Sequence, residues 1–200
     1  MKKLLYLILF SPLFCFGQDF PTIELGSTIP SIEEELLSID GNSYSLKNIK
    51  GIKGTLVIFT SNSCPFVVMW ENRYKQLEKS CAKNDLGMVY INSNDGKRDS
   101  DDSYEKMQKH GKEMGYNFPY LLDKNSLLAN KFGAKTTPHV FLFDAKNHLK
   151  YKGAIDDNYR DIEKVEEKYL LNAIESMIKG DKISPNETPP VGCSVKRSKK

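Results

Sequence analysis

The sequence is poor in cysteine and histidine, the usual ligands of zinc and copper, and the few it has are scattered. Its 200 residues include 4 cysteines and 3 histidines, and none of them stands at the spacing of a zinc site. A glycine-rich phosphate loop and a Ser-His-Asp arrangement are missing as well. We therefore predict no resident metal or cofactor, and the sequence gives no sign of a phosphate-binding or serine-hydrolase activity.

The chain also lacks a strong excess of charge of either sign. Its formal net charge is +3, of which Lys2 and Lys3 supply two units. Since a nucleic-acid surface needs clustered basic residues, no nucleic-acid partner is expected. The short basic end over residues 196–200 is expected to be a solvated tail.

No apolar run is long enough for a transmembrane helix. The apolar stretch over residues 4–16 follows two lysines and ends before the small residue Gly17, which is typical of a secretory signal peptide. We expect cleavage near Gly17 and a secreted or periplasmic mature protein without a transmembrane segment, in an oxidising compartment. A lipoprotein attached through Cys15 is less favoured, because Phe14 stands where a small residue is expected.

Cys64 is the residue with the clearest chemistry. It follows the apolar run over residues 55–60, which predicts a buried strand, and it precedes Pro65, which suits the first position of a helix. A thiol at that junction faces free backbone N–H groups and the positive end of the helix dipole, and both favour the reactive thiolate. Its surroundings match a Cys-x-x-Cys redox motif in which Val67 replaces the second cysteine.

If Cys64 has a cysteine partner, that partner must lie outside the Cys-x-x-Cys motif. Val67 begins an apolar stripe along the predicted helix, and Cys81 lies at its far end, about 25 Å from Cys64 at the rise of an α-helix. Cys81 is therefore expected to be a small buried side chain. Cys193 is the remaining partner after signal cleavage. A Cys64–Cys193 bond could be permanent, with a stabilisation of about 5 kcal/mol for so large a loop, or it could be dynamic. Unpaired thiols are the third alternative.

The rest of the chain alternates between strand and helix patterns. The central strand–helix–strand unit predicts a parallel pair of strands. A polar insertion follows from Ser93 to about Gly115, and its acidic residues indicate a solvated loop rather than a calcium site. We place a single domain at residues 18–180 and an extended tail carrying Cys193 at residues 181–200. The predicted later elements are a helix over 103–114, strands over 118–122, 140–143 and 149–152, a small helix over 126–132, and a final helix from about 162 to 178.

A proline before a strand gives the second candidate feature, in Thr137-Pro138-His139. Pro138 at this position can hold a cis peptide in a fixed turn. His139 is expected to be an ordinary residue at the start of a strand. A copper site formed by Cys64, Cys193 and His139 is a minor alternative.

Several segments together resemble one family. They are Ser61-Asn62-Ser63-Cys64-Pro65-Phe66-Val67, Ile91-Asn92-Ser93-Asn94-Asp95, Thr136-Thr137-Pro138-His139-Val140-Phe141-Leu142-Phe143-Asp144, Tyr151-Lys152-Gly153-Ala154-Ile155-Asp156-Asp157, and Gly192-Cys193-Ser194-Val195-Lys196. The chain resembles the thioredoxin-like superfamily, in particular the bacterial secreted thioredoxin-family and peroxiredoxin-like (redoxin) proteins.

The resemblance implies an α/β thioredoxin fold: a central mixed β-sheet flanked by helices, with a helical insertion and an extended C-terminal tail. It implies that Thr137–Pro138 is a cis-proline turn beside Cys64, and that Cys64 matches the nucleophilic cysteine. Pro65, Thr137 and Pro138 would then bind substrate.

These observations predict a thiol–disulfide oxidoreductase of the cell envelope, with Cys64 as nucleophile and Cys193 as resolving cysteine. The expected partners are protein or small-molecule thiols and disulfides, together with an external reductant. One alternative is a peroxiredoxin-like hydroperoxide reductase. The other is a non-catalytic binding module in which a Cys64–Cys193 disulfide is structural.

Overall fold

The computed structural model describes residues 19–198. The expected signal peptide, including Cys15, lies outside the described residues. The strands are β1 (Leu36–Leu37), β2 (Ser43–Tyr44), β3 (Gly54–Thr60), β4 (Leu86–Asn92), β5 (Tyr120–Leu122), β6 (Thr136–Thr137), β7 (His139–Asp144), β8 (Leu149–Gly153) and β9 (Cys193–Ser194). The helices are α1 (Leu46–Ile49), α2 (Pro65–Lys83), α3 (Tyr104–Met114), α4 (Leu127–Phe132) and α5 (Tyr169–Lys179).

The centre of the molecule is a five-stranded mixed sheet in the order β5-β4-β3-β7-β8. The pairs β3–β4 and β4–β5 are parallel, whereas β3–β7 and β7–β8 are antiparallel. All seven residues of β3 are buried, and the side chains of residues 56–59 alternate between two apolar clusters. One cluster includes residues of α2 and α5 and the other includes residues of α1 and α4. Because helices cover both faces, the central strands carry continuous apolar runs. This confirms the predicted α/β architecture.

The final helix is shorter than predicted. Its apolar spacing indicated a helix from about residue 162, but α5 begins at Tyr169, and Ile162 lies in a separate 3₁₀ turn over Ile162–Lys164. The Asp161 side chain accepts the N–H of Glu163 and so caps that turn. The Asp157 carboxylate accepts the N–H of Glu166 and so holds the residues that follow the turn. These contacts hold the chain away from a helical path until residue 169.

Among residues 19–198, no helix combines the length and the apolar character needed to cross a membrane.

Candidate functional site

Cys64 lies at the turn between β3 and α2. It is the residue that precedes the first turn of α2, and Pro65 occupies the first helical positions without needing a donor for its nitrogen. The backbone N–H of Cys64 donates to Ser61 Oγ at 3.2 Å, which closes the loop before the helix. The residue is only 4% exposed, although its neighbours Ser63 and Pro65 face solvent. The loop therefore holds the thiol in a fixed position just below the surface.

Thr137 lies directly against this thiol. The Sγ of Cys64 donates to the backbone oxygen of Thr137 at 3.1 Å. Thr137 is fully buried, and its hydroxyl has no hydrogen-bond partner within residues 19–198. The peptide bond between Thr137 and Pro138 is cis. The backbone carbonyl of Thr137 is thus the group that faces the Cys64 thiol.

The tail brings Cys193 to the same place. The two-residue strand β9 pairs antiparallel with β6, and Cys193 is opposite Thr137 in the register. Burial raises the pKa of the Cys193 thiol, and both the hydrogen bond in which this thiol donates to Cys64 and the negative charge of a Cys64 thiolate raise it further. The charge of Lys196 and the backbone N–H of Phe66 act in the opposite direction. Both cysteines are free thiols, and both lie at Thr137: its carbonyl accepts the Cys64 thiol, and its backbone pairs with Cys193. Two residues 129 positions apart in the sequence therefore meet on Thr137.

Gly192 allows this close pairing. A Cβ atom at this position would lie 2.2 Å from the backbone oxygen of Thr137 and 2.7 Å from its carbonyl carbon. Because no side chain can approach a backbone so closely, glycine is required for the tail to lie flat on β6. Gly192 thus allows the backbone pairing that brings Cys193 to Thr137.

Two anchors hold the tail beyond Cys193. Val195 is buried, and its N–H donates to the backbone oxygen of Lys135 at 3.0 Å. The guanidinium of Arg197 donates to Asn130 Oδ1 at 2.6 Å and to the backbone oxygen of Ala134 at 2.9 Å. The expectation of a solvated basic end is therefore wrong for Arg197, because Asn130 of α4 and the backbone of Ala134 after this helix accept hydrogen bonds from its guanidinium.

A further anchor lies before Cys193. Thr188 is buried, and its N–H donates to the backbone oxygen of Lys152 at 3.1 Å. Its hydroxyl lies 2.7 Å from the hydroxyl of Tyr151 and accepts the N–H of Ala154 at 3.0 Å. The tail is thus held on both sides of the segment that crosses Cys64.

Sequence reasoning missed the role of Asp102. It was expected in a solvated acidic loop, but it is fully buried. One carboxylate oxygen accepts the N–H of Asn62 at 2.8 Å and the side-chain amide of Asn92 at 2.7 Å. The other oxygen accepts the amide of Asn94 at 3.1 Å, and Asn94 Oδ1 accepts the N–H of Lys196 at 2.8 Å. One buried network therefore joins the loop before Cys64 to the tail after Cys193. The only local signal was three asparagines placed at the ends of predicted strands and turns.

The remaining candidates lie apart from this chemistry. Val67 and Cys81 are fully buried on the inner face of α2, and burial raises the pKa of Cys81 to about 12. His139 is also buried, and its pKa is lowered to about 3 by burial and by the charges of Lys152 and Lys135. Its Nδ1 accepts the N–H of Lys135 at 3.3 Å, so it is a neutral structural residue. Within residues 19–198, no three His, Cys, Asp or Glu side chains are grouped as a metal site.

Comparison with known proteins places this site in a family. The redoxin family profile matches residues 24–169, which is more than half of the chain. The chain belongs to the redoxin family. A search of curated proteins finds no match to this redoxin.

Two solved structures share both sequence and fold with this redoxin. A hypothetical protein from Sinorhizobium meliloti is 31% identical over 90% of this chain and 98% of its own, with a TM-score of 0.82. An uncharacterised conserved protein from Geobacillus kaustophilus is 31% identical over 90% of this chain and 94% of its own, with a TM-score of 0.81.

More distant structures share the fold alone. A peroxidoxin from Mycobacterium tuberculosis is 15% identical over 79% of this redoxin and 97% of its own chain, with a TM-score of 0.60. Other neighbours are thiol–disulfide oxidoreductases from Bacteroides species. These likenesses confirm the predicted thioredoxin fold. Membership of the redoxin family supports a thioredoxin-like redox function.

Proposed function

We propose that this redoxin is a thiol–disulfide oxidoreductase in which Cys64 is the nucleophile and Cys193 the resolving cysteine. One observation carries the proposal: Thr137 accepts a hydrogen bond from the Cys64 thiol and pairs with Cys193 through its backbone. Pro65 follows Cys64 in the chain and Pro138 follows Thr137, and the proposal assigns substrate binding to these two prolines together with Thr137. A thiol at a helix N-terminus, with a second thiol paired to the same backbone residue, is an arrangement that favours disulfide exchange.

The reaction proceeds in two exchanges. The Cys64 thiolate attacks one sulfur of a substrate disulfide, so a mixed disulfide forms and the other substrate sulfur leaves as a thiolate. The Cys193 thiolate then attacks the Cys64 sulfur, which forms the Cys64–Cys193 bond and releases the second substrate thiolate. The substrate gains two electrons and the protein loses two. An external dithiol restores both protein thiols and is itself oxidised to a disulfide.

The organisation of the chain is part of the same proposal. Residues 18–180 are the redox domain, and residues 181–200 form a tail that supplies the resolving thiol. Residues 1–17 direct the protein to an extracytoplasmic compartment. There the substrates are thiols and disulfides, and the reductant has to be supplied from outside the chain.

Trapping with single-cysteine variants tests the proposal. The wild type is treated with a small disulfide, quenched with an alkylating agent and examined by mass spectrometry. We expect an internal Cys64–Cys193 bond in the wild type and a stable mixed disulfide on Cys64 in Cys193→Ser. Cys64→Ser should lose reductase turnover, whereas Cys81→Ala should keep it.

The alternatives give different results in this experiment. A Cys64–Cys193 bond that resists a reductant of thioredoxin strength would identify a structural disulfide and contradict the exchange mechanism. Rapid consumption of hydroperoxide that depends on Cys64, without exchange with disulfides, would instead identify a peroxidase.

A further inference from the structure

The tail occupies the backbone edge beside Cys64. A β-strand edge can bind an extended polypeptide by adding it as a further strand. In this molecule the edge of β6 already has such a strand, because Thr136 pairs with Ser194 and Thr137 pairs with Cys193. A polypeptide substrate can therefore reach the Thr137 backbone only if β9 leaves it.

The same tail carries the resolving thiol. A substrate that displaced β9 would separate Cys193 from Cys64, and the mixed disulfide would then lose the thiol that resolves it. The anchors at Thr188, Val195 and Arg197 oppose this displacement on both sides. Productive exchange therefore needs the tail in place during the reaction.

Access to Cys64 with the tail in place is narrow. The residue is 4% exposed, its thiol lies against the backbone of Thr137, and β9 covers the edge of β6 next to it. The residues on either side of Cys64 in the chain, Ser63 and Pro65, face solvent. We infer that a disulfide reaches Cys64 from their side while β9 stays on β6, and a nearly buried thiol favours a small molecule there.

On this basis, and resting on the proposed function, we propose that the tail makes Cys64 selective for low-molecular-weight disulfides and excludes extended polypeptide disulfides. The tail residues 189–198 thus determine specificity as well as supplying the resolving cysteine. Cys64 attacks the small disulfide, one small thiolate leaves, and Cys193 releases the other without any movement of β9 from β6.

The test compares two oxidants on the full-length protein. Reduced wild type is mixed with hydroxyethyl disulfide or with insulin, and formation of the Cys64–Cys193 bond is followed by alkylation and mass spectrometry. Each rate is divided by the rate of the same oxidant with a free monothiol, which removes the intrinsic reactivity of the two disulfides. We expect a much lower normalised rate with insulin.

Loosening the tail should reduce the selectivity for the small disulfide over insulin. Arg197→Ala removes two hydrogen bonds from a charged donor, which is expected to raise mixed-disulfide formation on Cys64 with insulin by at least about tenfold. The rate with hydroxyethyl disulfide should not rise. Asn130→Ala weakens the same anchor from the side of α4 and serves as a second variant. Lys182→Ala removes an exposed cation from the tail and is the matched control, with no expected change.

The possible outcomes separate the two proposals. Equal normalised rates with both oxidants, or no gain with insulin in both loosened variants, would overturn the inference and leave the exchange mechanism standing. If neither oxidant produces a Cys64–Cys193 bond, the proposed function fails and the inference fails with it.

Discussion

Gly192→Ala is the smallest change that should separate the two thiols. The new Cβ atom would lie 2.2 Å from the backbone oxygen of Thr137. Since carbon and oxygen in a close contact stay about 3.3 Å apart, β9 has to move away from β6 by about 1 Å. Backbone hydrogen bonds have donor–acceptor distances of about 2.7–3.2 Å, so a shift of this size breaks those of the small ladder.

The free-energy cost of this shift follows from the number of β6–β9 backbone hydrogen bonds that it breaks. Loss of one or two backbone hydrogen bonds corresponds to about 1–3 kcal/mol, which is about 5- to 150-fold in an equilibrium constant. We expect the equilibrium constant for Cys64–Cys193 disulfide formation in glutathione buffers to fall by a factor in this range. Quenching by alkylation and intact-mass measurement give the oxidised fraction at each buffer ratio.

A matched control lies on the same strand. Ser194 is exposed, and its hydroxyl accepts a hydrogen bond from the exposed Lys196 side chain, so Ser194→Ala should leave the equilibrium constant unchanged. Thermal unfolding of both variants shows whether the whole domain is affected. If Gly192→Ala keeps the wild-type equilibrium constant, the pairing of Cys193 with Thr137 is not what holds the thiols together.

Three other outcomes are expected. Asp102→Asn should lower the free energy of unfolding in urea by about 2 kcal/mol and slow formation of the Cys64–Cys193 bond. The reason is that one acceptor of a buried charge-assisted network becomes a donor. Unchanged values would show that Asp102 does not support the site. Below pH 6.5 the wild type should lose about 1.4 kcal/mol more stability per pH unit than His139→Gln, because unfolded His139 binds a proton that the folded residue excludes until about pH 3. Parallel stability curves would show that His139 is charged in the folded protein. Cys81, with its pKa raised to about 12, should resist alkylation at pH 8 until the protein is unfolded; rapid labelling of the native protein would contradict its burial.

Local sequence patterns predict the part of the site that is formed by residues close together in the sequence. The apolar run of β3, the proline after Cys64 and the stripe beginning at Val67 all act within a few residues of one another. They correctly place a strand, a helix and a buried face. The hairpin of β7 and β8 follows for the same reason.

Contacts between residues far apart in the sequence have no comparable local pattern that would predict them. β9 has two residues, and its partner β6 also has two, so neither shows the alternation by which a strand is recognised. Asp102 looks like one more charge in an acidic loop, and only its burial among three asparagines gives it a structural role. The apolar spacing before Tyr169 indicated a helix, but side-chain contacts from Asp157 and Asp161 override it.

The central claim is that Cys64 and Cys193 form a reversible redox pair. Its most direct test is a titration of the wild type in buffers of graded reduction potential, with alkylation and mass spectrometry to locate the disulfide. We predict one two-electron transition between a dithiol and a Cys64–Cys193 disulfide, at a potential within the range of about −270 to −120 mV that thiol–disulfide oxidoreductases span. A bond that persists below about −300 mV, as structural disulfides do, or two thiols that stay reduced throughout, would contradict it.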